Sequence, residues 1–155
     1  IDLYPKKSRK QIIDWQTLIQ ENVNNGVYKC GFARNQKAYE KASKNLFSAL
    51  DIIEQYLQSN GPWLCGKYLS IADIRLFPTL IRWESIYEPL FKCSMKPIAS
   101  FPNIIKWRKN IFNLYNIKNT CDSDAWRKDY FGALFPLNPS CIIPKGQSIS
   151  NIVNL

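Results

Sequence analysis

The fold of this 155-residue chain is decided by one segment, Leu69-Ser70-Ile71-Ala72-Asp73-Ile74-Arg75-Leu76-Phe77. Ser70 and Asp73 have the spacing of a capping box, in which the serine hydroxyl accepts from the Asp73 N–H and the carboxylate accepts from the Ser70 N–H. The helix that begins here is apolar on nearly every side as far as Tyr87. A helix with that pattern is usually buried in the middle of a domain. We therefore predict a central helix around which the other helices pack.

Four further helices are predicted from apolar residues at helical spacing and from capping residues at helix ends. They run from Ser8 to Asn25-Gly26, from Gln36 to Ser59 with Asn35 as the cap, from Pro102 past Leu114, and from Asp122 or Ser123 to about Phe135. Gly26 is expected to end the first of these helices in a left-handed conformation, with residues 24–33 forming a compact link. Pro78 is expected to bend the central helix, because proline lacks the backbone N–H that the helix needs.

The fold class follows from this pattern. No pair of strands is apparent, and residues 136–146 contain too many prolines for regular structure. A chain of this length with 46% hydrophobic residues can bury one good core. We predict an all-α fold with one helical domain over residues 1–146 and a C-terminal tail over residues 147–155.

Cysteine and histidine content argues against a metal site and against a disulfide framework. The chain has no histidine and five widely spaced cysteines, with no C-x-x-C pair. A catalytic thiol stays open as an alternative, although none of the cysteines lies in a Cys-Pro or glycine-rich turn at a helix start. No apolar run is long enough to cross a bilayer, and no signal peptide is visible. We therefore expect a reduced, cytoplasmic location and no membrane partner. The cysteines are Cys30, Cys65, Cys93, Cys121 and Cys141.

The net charge of +9 raises the alternative of an anionic partner such as nucleic acid. The 21 basic residues are scattered, however, and the one dense cluster comprises Lys6, Lys7, Arg9 and Lys10. Scattered basic residues are typical of a solvated surface. We therefore expect no nucleic acid partner. Binding of nucleic acid through this charge would weaken steeply with added salt.

Several motifs resemble a known family. The capping box within the segment 66–73 resembles the N-capping motif of the glutathione transferase C-terminal helical domain. Four further motifs resemble the xi class, the glutathionyl-hydroquinone reductases, and the resemblance extends from Asp2 to about Gly146. These motifs are Asn24-Asn25-Gly26-Val27-Tyr28-Lys29 with Gly31-Phe32-Ala33, Gln36 with Tyr39-Glu40, Phe91-Lys92-Cys93, and Asn138-Pro139 with Ile142-Ile143-Pro144.

The resemblance implies a two-domain enzyme of which this chain is the second domain. In the family, an N-terminal thioredoxin-like domain binds glutathione, the co-substrate, and carries the nucleophilic cysteine in a Cys-Pro motif. Neither that motif nor a βαβ pattern occurs here, and the chain begins with Ile1 rather than Met. We therefore expect a piece of a longer protein that lacks the nucleophile and is inactive alone. The resemblance also implies a homodimer.

The family reaction gives the helical domain a defined task. The cysteine thiolate attacks the thioether sulfur of a glutathionyl-hydroquinone, which releases the hydroquinone, and a second glutathione regenerates the thiol. The helical domain must then offer an aromatic slot for the ring and donors for its phenolic oxygens. By resemblance, Tyr28 and Tyr130 are the expected proton donors or substrate-positioning residues. A tyrosine hydroxyl, with an ordinary pKa of about 10, is a neutral donor at pH 7.

The sequence departs from the family pattern at three places, and one alternative function stays open. Residues 126–133 contain none of the histidines usual around the second tyrosine, Cys30 replaces a usual alanine, and Pro78 replaces a small or hydroxylated residue. The alternative is a non-catalytic interaction module, because glutathione-transferase-like domains also occur as assembly modules in translation factors and synthetases. In that case Tyr28 would be a packed tyrosine with its hydroxyl satisfied.

Overall fold

A computed structural model describes residues 1–154, and all regular structure in that range is helical. None of the helices described there combines the length and hydrophobicity that a membrane crossing requires. The predicted all-α class is confirmed. The α-helices are α1 (Arg9–Ile19), α2 (Asn25–Gly31), α3 (Gln36–Asn60), α4 (Ile71–Ile81), α5 (Glu88–Phe91), α6 (Pro102–Phe112), α7 (Ser123–Ala133) and α8 (Ile149–Val153), with π-helical segments at Gln20–Asn24 and Trp83–Tyr87 and 3-10 segments at Lys6–Ser8, Ile98–Ser100 and Ile117–Thr120.

The predicted central helix is α4, and its capping box forms around a fully buried carboxylate. Asp73 accepts from the backbone N–H of Ser70 (2.9 Å) and of Leu64 (2.9 Å). It also accepts from the Ser70 hydroxyl (2.8 Å) and from the indole N–H of Trp107 (2.8 Å). A buried carboxylate is costly unless it is hydrogen bonded, and here four donors offset that cost. The same side chain therefore caps α4 and connects it to α6.

The core surrounds α4 as predicted. Pro78 lies on the exposed side of this helix, and the α-helical pattern ends at Ile81 before the π-helical segment begins. The starts of α3 and α7 also agree with the sequence, because Asn35 accepts from the Ala38 N–H and Asp122 caps α7. The fully buried side chains of the core include Ile12, Leu46, Leu50, Ile53, Leu76, Leu80, Trp83, Ile86, Phe91, Ile104 and Ile111.

The prediction that the first helix ends at Asn25-Gly26 is wrong. The chain stays helical through the π-helical segment Gln20–Asn24 and continues directly into α2, so residues 24–33 are not a compact link. Gly26 is buried inside α2 and does not have a positive φ. A Cβ atom added there would lie 3.5 Å from Leu46 Cδ1, in van der Waals contact with α3. This glycine therefore lies at the contact between α2 and α3 rather than at a helix end, and a methyl group would fit there.

The segment described from the sequence as a tail, residues 147–155, contains the short helix α8, while residue 155 lies outside the described residues. Ile152 and Val153 of α8 are buried. Its backbone is held by Arg108 of α6, which donates to the carbonyl of Ile152 (2.9 Å) and to the carboxylate of Glu84. A buried guanidinium needs several acceptors, and α8 supplies one of them.

Candidate functional site

The two tyrosines singled out by the family resemblance lie together in the fold. The hydroxyl oxygens of Tyr28, on α2, and Tyr130, on α7, are 2.7 Å apart, which is a hydrogen-bonding distance. Tyr28 is 40% exposed and Tyr130 is half-buried. The hydroxyl pair therefore lies near the surface, where a ligand can reach it.

A third tyrosine, Tyr87, completes the cluster, and sequence reasoning missed it. Its hydroxyl lies 3.1 Å from that of Tyr130, and its side chain is only 2% exposed. The sequence analysis places Tyr87 on the apolar central helix and gives it no polar role. One signal was available, because a buried tyrosine needs a partner for its hydroxyl where phenylalanine would not.

Phe91, which is fully buried, packs against the rings of all three tyrosines from the core side. Its ring centroid lies 5.2 Å from that of Tyr28, 5.4 Å from that of Tyr87 and 6.1 Å from that of Tyr130. Phe32, which is 44% exposed, also packs against Phe91, with ring centroids 5.7 Å apart. Tilted and edge-to-face contacts of this kind fix ring positions. The aromatic surface that a ligand can reach is that of Tyr28 and Phe32, with the tyrosine hydroxyls beside it, and it suits a phenolic ring.

Gly31 allows this aromatic arrangement to form. A Cβ atom at this position would lie 2.6 Å from Cγ of Phe91, which is closer than side-chain carbons approach. The last residue of α2 must therefore lack a side chain so that the phenylalanine can pack against it. This explains in physical terms why a glycine follows the Asn-Asn-Gly-Val-Tyr motif.

Two of the three tyrosines lie at the end of a π-helical segment or shortly after one. Tyr87 is the last residue of Trp83–Tyr87, and Tyr28 follows Gln20–Asn24. Such segments change the direction in which the following side chains point and occur often at functional sites. Asn24 fixes the first of them to α4, because its amide donates to the carbonyl of Arg75 (3.1 Å) and accepts from the Thr79 hydroxyl (2.7 Å).

Burial favours the protonated form of two tyrosines of the cluster, Tyr28 and Tyr87. It raises the pKa of Tyr28, and the hydrogen bond with Tyr130 raises this pKa further. Burial also raises the pKa of Tyr87, with the contact to Tyr130 as the second cause. Both hydroxyls are therefore donors at neutral pH. A row of three hydroxyls uses two protons for its two internal hydrogen bonds and leaves one for a ligand.

The other candidate groups form no second site of this kind. All five cysteines have free thiols, and a hydrogen bond between the buried Cys30 and Cys93 lowers the pKa of Cys30 and raises that of Cys93. Residues 1–154 contain no group of three or more His, Cys, Asp or Glu side chains that could hold a metal ion. In the basic cluster, the Lys7 ammonium lies over the ring of Tyr68 at 4.7 Å.

Known proteins are similar in sequence to nearly the whole of this chain. The family profile described as "Glutathione S-transferase, C-terminal domain" matches residues 36–110. The glutathionyl-hydroquinone reductase PcpF of Sphingobium chlorophenolicum is 39% identical over 147 residues, which cover 95% of this chain and 47% of that protein. The glutathionyl-hydroquinone reductase YqjG of Escherichia coli is 37% identical over 145 residues, which cover 94% of this chain and 44% of that protein. This chain thus spans about half the length of these relatives.

Solved structures have the same helical arrangement. The glutathione-bound structure of YqjG from Escherichia coli K-12, a glutathione transferase homolog, matches with a TM-score of 0.91 and 35% identity over 96% of this chain and 49% of that chain. The xi glutathione transferase from Phanerochaete chrysosporium matches with a TM-score of 0.90 and 38% identity over 95% of this chain and 50% of that chain. The resemblance found in the sequence is confirmed. The chain belongs to the glutathione transferases, as a C-terminal helical domain of the xi class.

Proposed function

We propose that this chain is the substrate-binding half of a glutathione-dependent reductase that removes glutathione from glutathionyl-hydroquinones. One observation carries the proposal: Tyr28 and Tyr130 share a hydrogen bond beside an exposed aromatic surface, in a chain whose relatives include glutathionyl-hydroquinone reductases. An aromatic surface bounded by phenol donors is complementary to a hydroquinone ring.

The proposed reaction balances with no net proton change, because the proton taken up by the ring carbon is matched by the one that the second glutathione thiol loses. A cysteine thiolate, supplied by a thioredoxin-like half outside this chain, attacks the sulfur of the glutathionyl-hydroquinone. The bond between that sulfur and the ring carbon breaks, a cysteine–glutathione disulfide forms, and the ring carbon takes a proton. A second glutathione then loses its thiol proton and attacks the disulfide, which returns the cysteine thiolate and yields glutathione disulfide. The substrate is thereby reduced and glutathione is oxidised.

In this scheme the residues of the helical half bind the hydroquinone ring and donate hydrogen bonds to its phenolic oxygens. The exposed aromatic surface of Tyr28 and Phe32 positions the ring, and the tyrosine hydroxyls donate to a phenolic oxygen. Phe91 holds the tyrosine rings in place from the core. Protonated hydroxyls suit this task, because hydrogen-bond donation draws electron density from the ring as the carbon–sulfur bond breaks.

The proposal also includes a homodimer and a cytoplasmic location. Sedimentation of the full-length protein and cell fractionation would test these two points.

The test joins residues 1–154 to the thioredoxin-like half of the Escherichia coli relative and measures hydroquinone released from a glutathionyl-hydroquinone. The expected result is release that requires both halves. The same N-terminal half joined to its own helical domain is the positive control. If only the control releases hydroquinone, the proposal is wrong and a non-catalytic module becomes the better account.

A further inference from the structure

We propose that Tyr87 is a positioning residue of this site, which fixes the direction of the hydrogen bond between Tyr130 and Tyr28 so that Tyr28 presents its proton to the substrate. The inference rests on the function proposed above. It adds a third tyrosine that never touches the substrate.

The geometry places Tyr130 between the other two hydroxyls. Its oxygen lies 2.7 Å from that of Tyr28 and 3.1 Å from that of Tyr87. A phenol oxygen accepts through its lone pairs but donates only one proton. Tyr130 can therefore donate to one neighbour at a time, and it accepts from the other.

Burial decides which neighbour donates. Tyr87 is 2% exposed, so its proton cannot go to solvent or to a ligand on the aromatic surface. If Tyr130 donated to Tyr87 instead, the Tyr87 proton would be left in the interior without an acceptor, which is costly. Tyr87 therefore donates inward to Tyr130. Tyr130 then has its own proton left for Tyr28.

The outer end of the row is Tyr28, which is 40% exposed. Because Tyr28 accepts from Tyr130, its own proton points away from the pair and is available to a phenolic oxygen. Without Tyr87, the 2.7 Å contact forms equally well with Tyr28 as the donor. The proton needed by the substrate would then be used inside the pair for part of the time.

The packing of Tyr87 allows a clean test. Its ring meets that of Tyr130 edge-to-face, with centroids 5.9 Å apart and an interplanar angle of 88°. Phenylalanine keeps that ring contact and removes only the hydroxyl. Tyr56→Phe is the matched control. The Tyr56 hydroxyl is also hydrogen bonded, because it accepts from Gln11 (2.7 Å). Its ring packs against Trp15 rather than against the tyrosine cluster.

The experiment measures kcat and KM of the joined protein described above, with Tyr87→Phe, Tyr28→Phe and the double variant. We expect Tyr87→Phe to lower kcat about fivefold to tenfold with little change in KM, because Tyr87 does not contact the substrate. In the Tyr28→Phe background the same change should have almost no further effect, since Tyr87 acts through the Tyr28 proton. Tyr56→Phe should leave kcat unchanged.

Two outcomes would overturn the inference while the proposed function stands. One is an unchanged kcat for Tyr87→Phe. The other is an equal loss of kcat from Tyr87→Phe with and without the Tyr28 hydroxyl, which is what a general structural effect produces. A joined protein that releases no hydroquinone at all overturns the proposed function, and the inference falls with it.

Discussion

The hydroxyl oxygens of Tyr28 and Tyr130 lie 2.7 Å apart, although 102 positions separate the two residues in the sequence. Both rings pack against Phe91, the last residue of α5, and Phe91 therefore holds the two tyrosines in contact. The chemistry proposed for the domain therefore depends on how closely α2 approaches Phe91. That dependence leads to the first prediction.

Gly31→Ala should destabilise the domain by about 1–3 kcal/mol, because the new methyl group would lie 2.6 Å from Phe91 Cγ. Gly132→Ala is the control, since a Cβ there meets nothing within 4 Å in α7. Alanine is favoured over glycine in a helix, so this control should be equal or slightly more stable. Urea unfolding of both variants measures the difference. Equal midpoints would show that α2 can move away from Phe91 without cost.

Asp73→Ala should lower the free energy of unfolding by roughly 3 kcal/mol or more, because it leaves buried donors of Leu64, Ser70 and Trp107 without their acceptor. Asp14, an exposed residue of α1, provides the comparison. Asp14→Ala should cause no resolvable change in the urea midpoint. A small effect of Asp73→Ala would mean that the capping box does not hold the central helix in place.

Alkaline pH should destabilise the domain partly through Tyr87. Burial raises the pKa of Tyr87 above its unfolded value of about 10, so between these two values the folded state holds a proton that the unfolded state has lost. The stabilisation is complete below about pH 10 and is lost as the pH rises above it. From there the free energy of unfolding should fall about 1.4 kcal/mol per pH unit more steeply in the parent than in Tyr87→Phe.

Urea unfolding of parent and Tyr87→Phe at several pH values from 8 to 11.5 gives this comparison. Lysines and cysteines titrate in the same range in both proteins, so the difference between the two slopes isolates Tyr87. Parallel curves would contradict the burial of a neutral hydroxyl at this position.

Local signals in the sequence predict the helix starts well. Ser70, Asn35 and Asp122 cap helices through bonds that reach only two or three residues ahead, so their neighbours in the sequence reveal the cap. The buried central helix follows equally from its own apolar pattern. The Tyr28–Tyr130 pair, by contrast, comes from family resemblance, since helical periodicity cannot connect α2 with α7.

The features that the sequence analysis misses depend on distant partners. Gly26 has the local pattern of a helix end, but it lies inside α2, which packs there against Leu46 of α3. Tyr87 has the pattern of an apolar core residue, and its hydroxyl partner lies 43 positions away. Likewise α8 is short and polar in part, and it is held by a guanidinium from α6. Each of these depends on tertiary packing, which local preferences do not contain.

The most direct test of the account is the rate of hydroquinone release by the joined protein carrying Tyr28→Phe or Tyr130→Phe. Each change should lower kcat by about 10- to 100-fold, because each removes a hydrogen-bond donor that stabilises the departing ring. Tyr115→Phe, at a 92% exposed position, should release hydroquinone at the parent rate. If both site variants also turn over at the parent rate, the tyrosine cluster is not the substrate site.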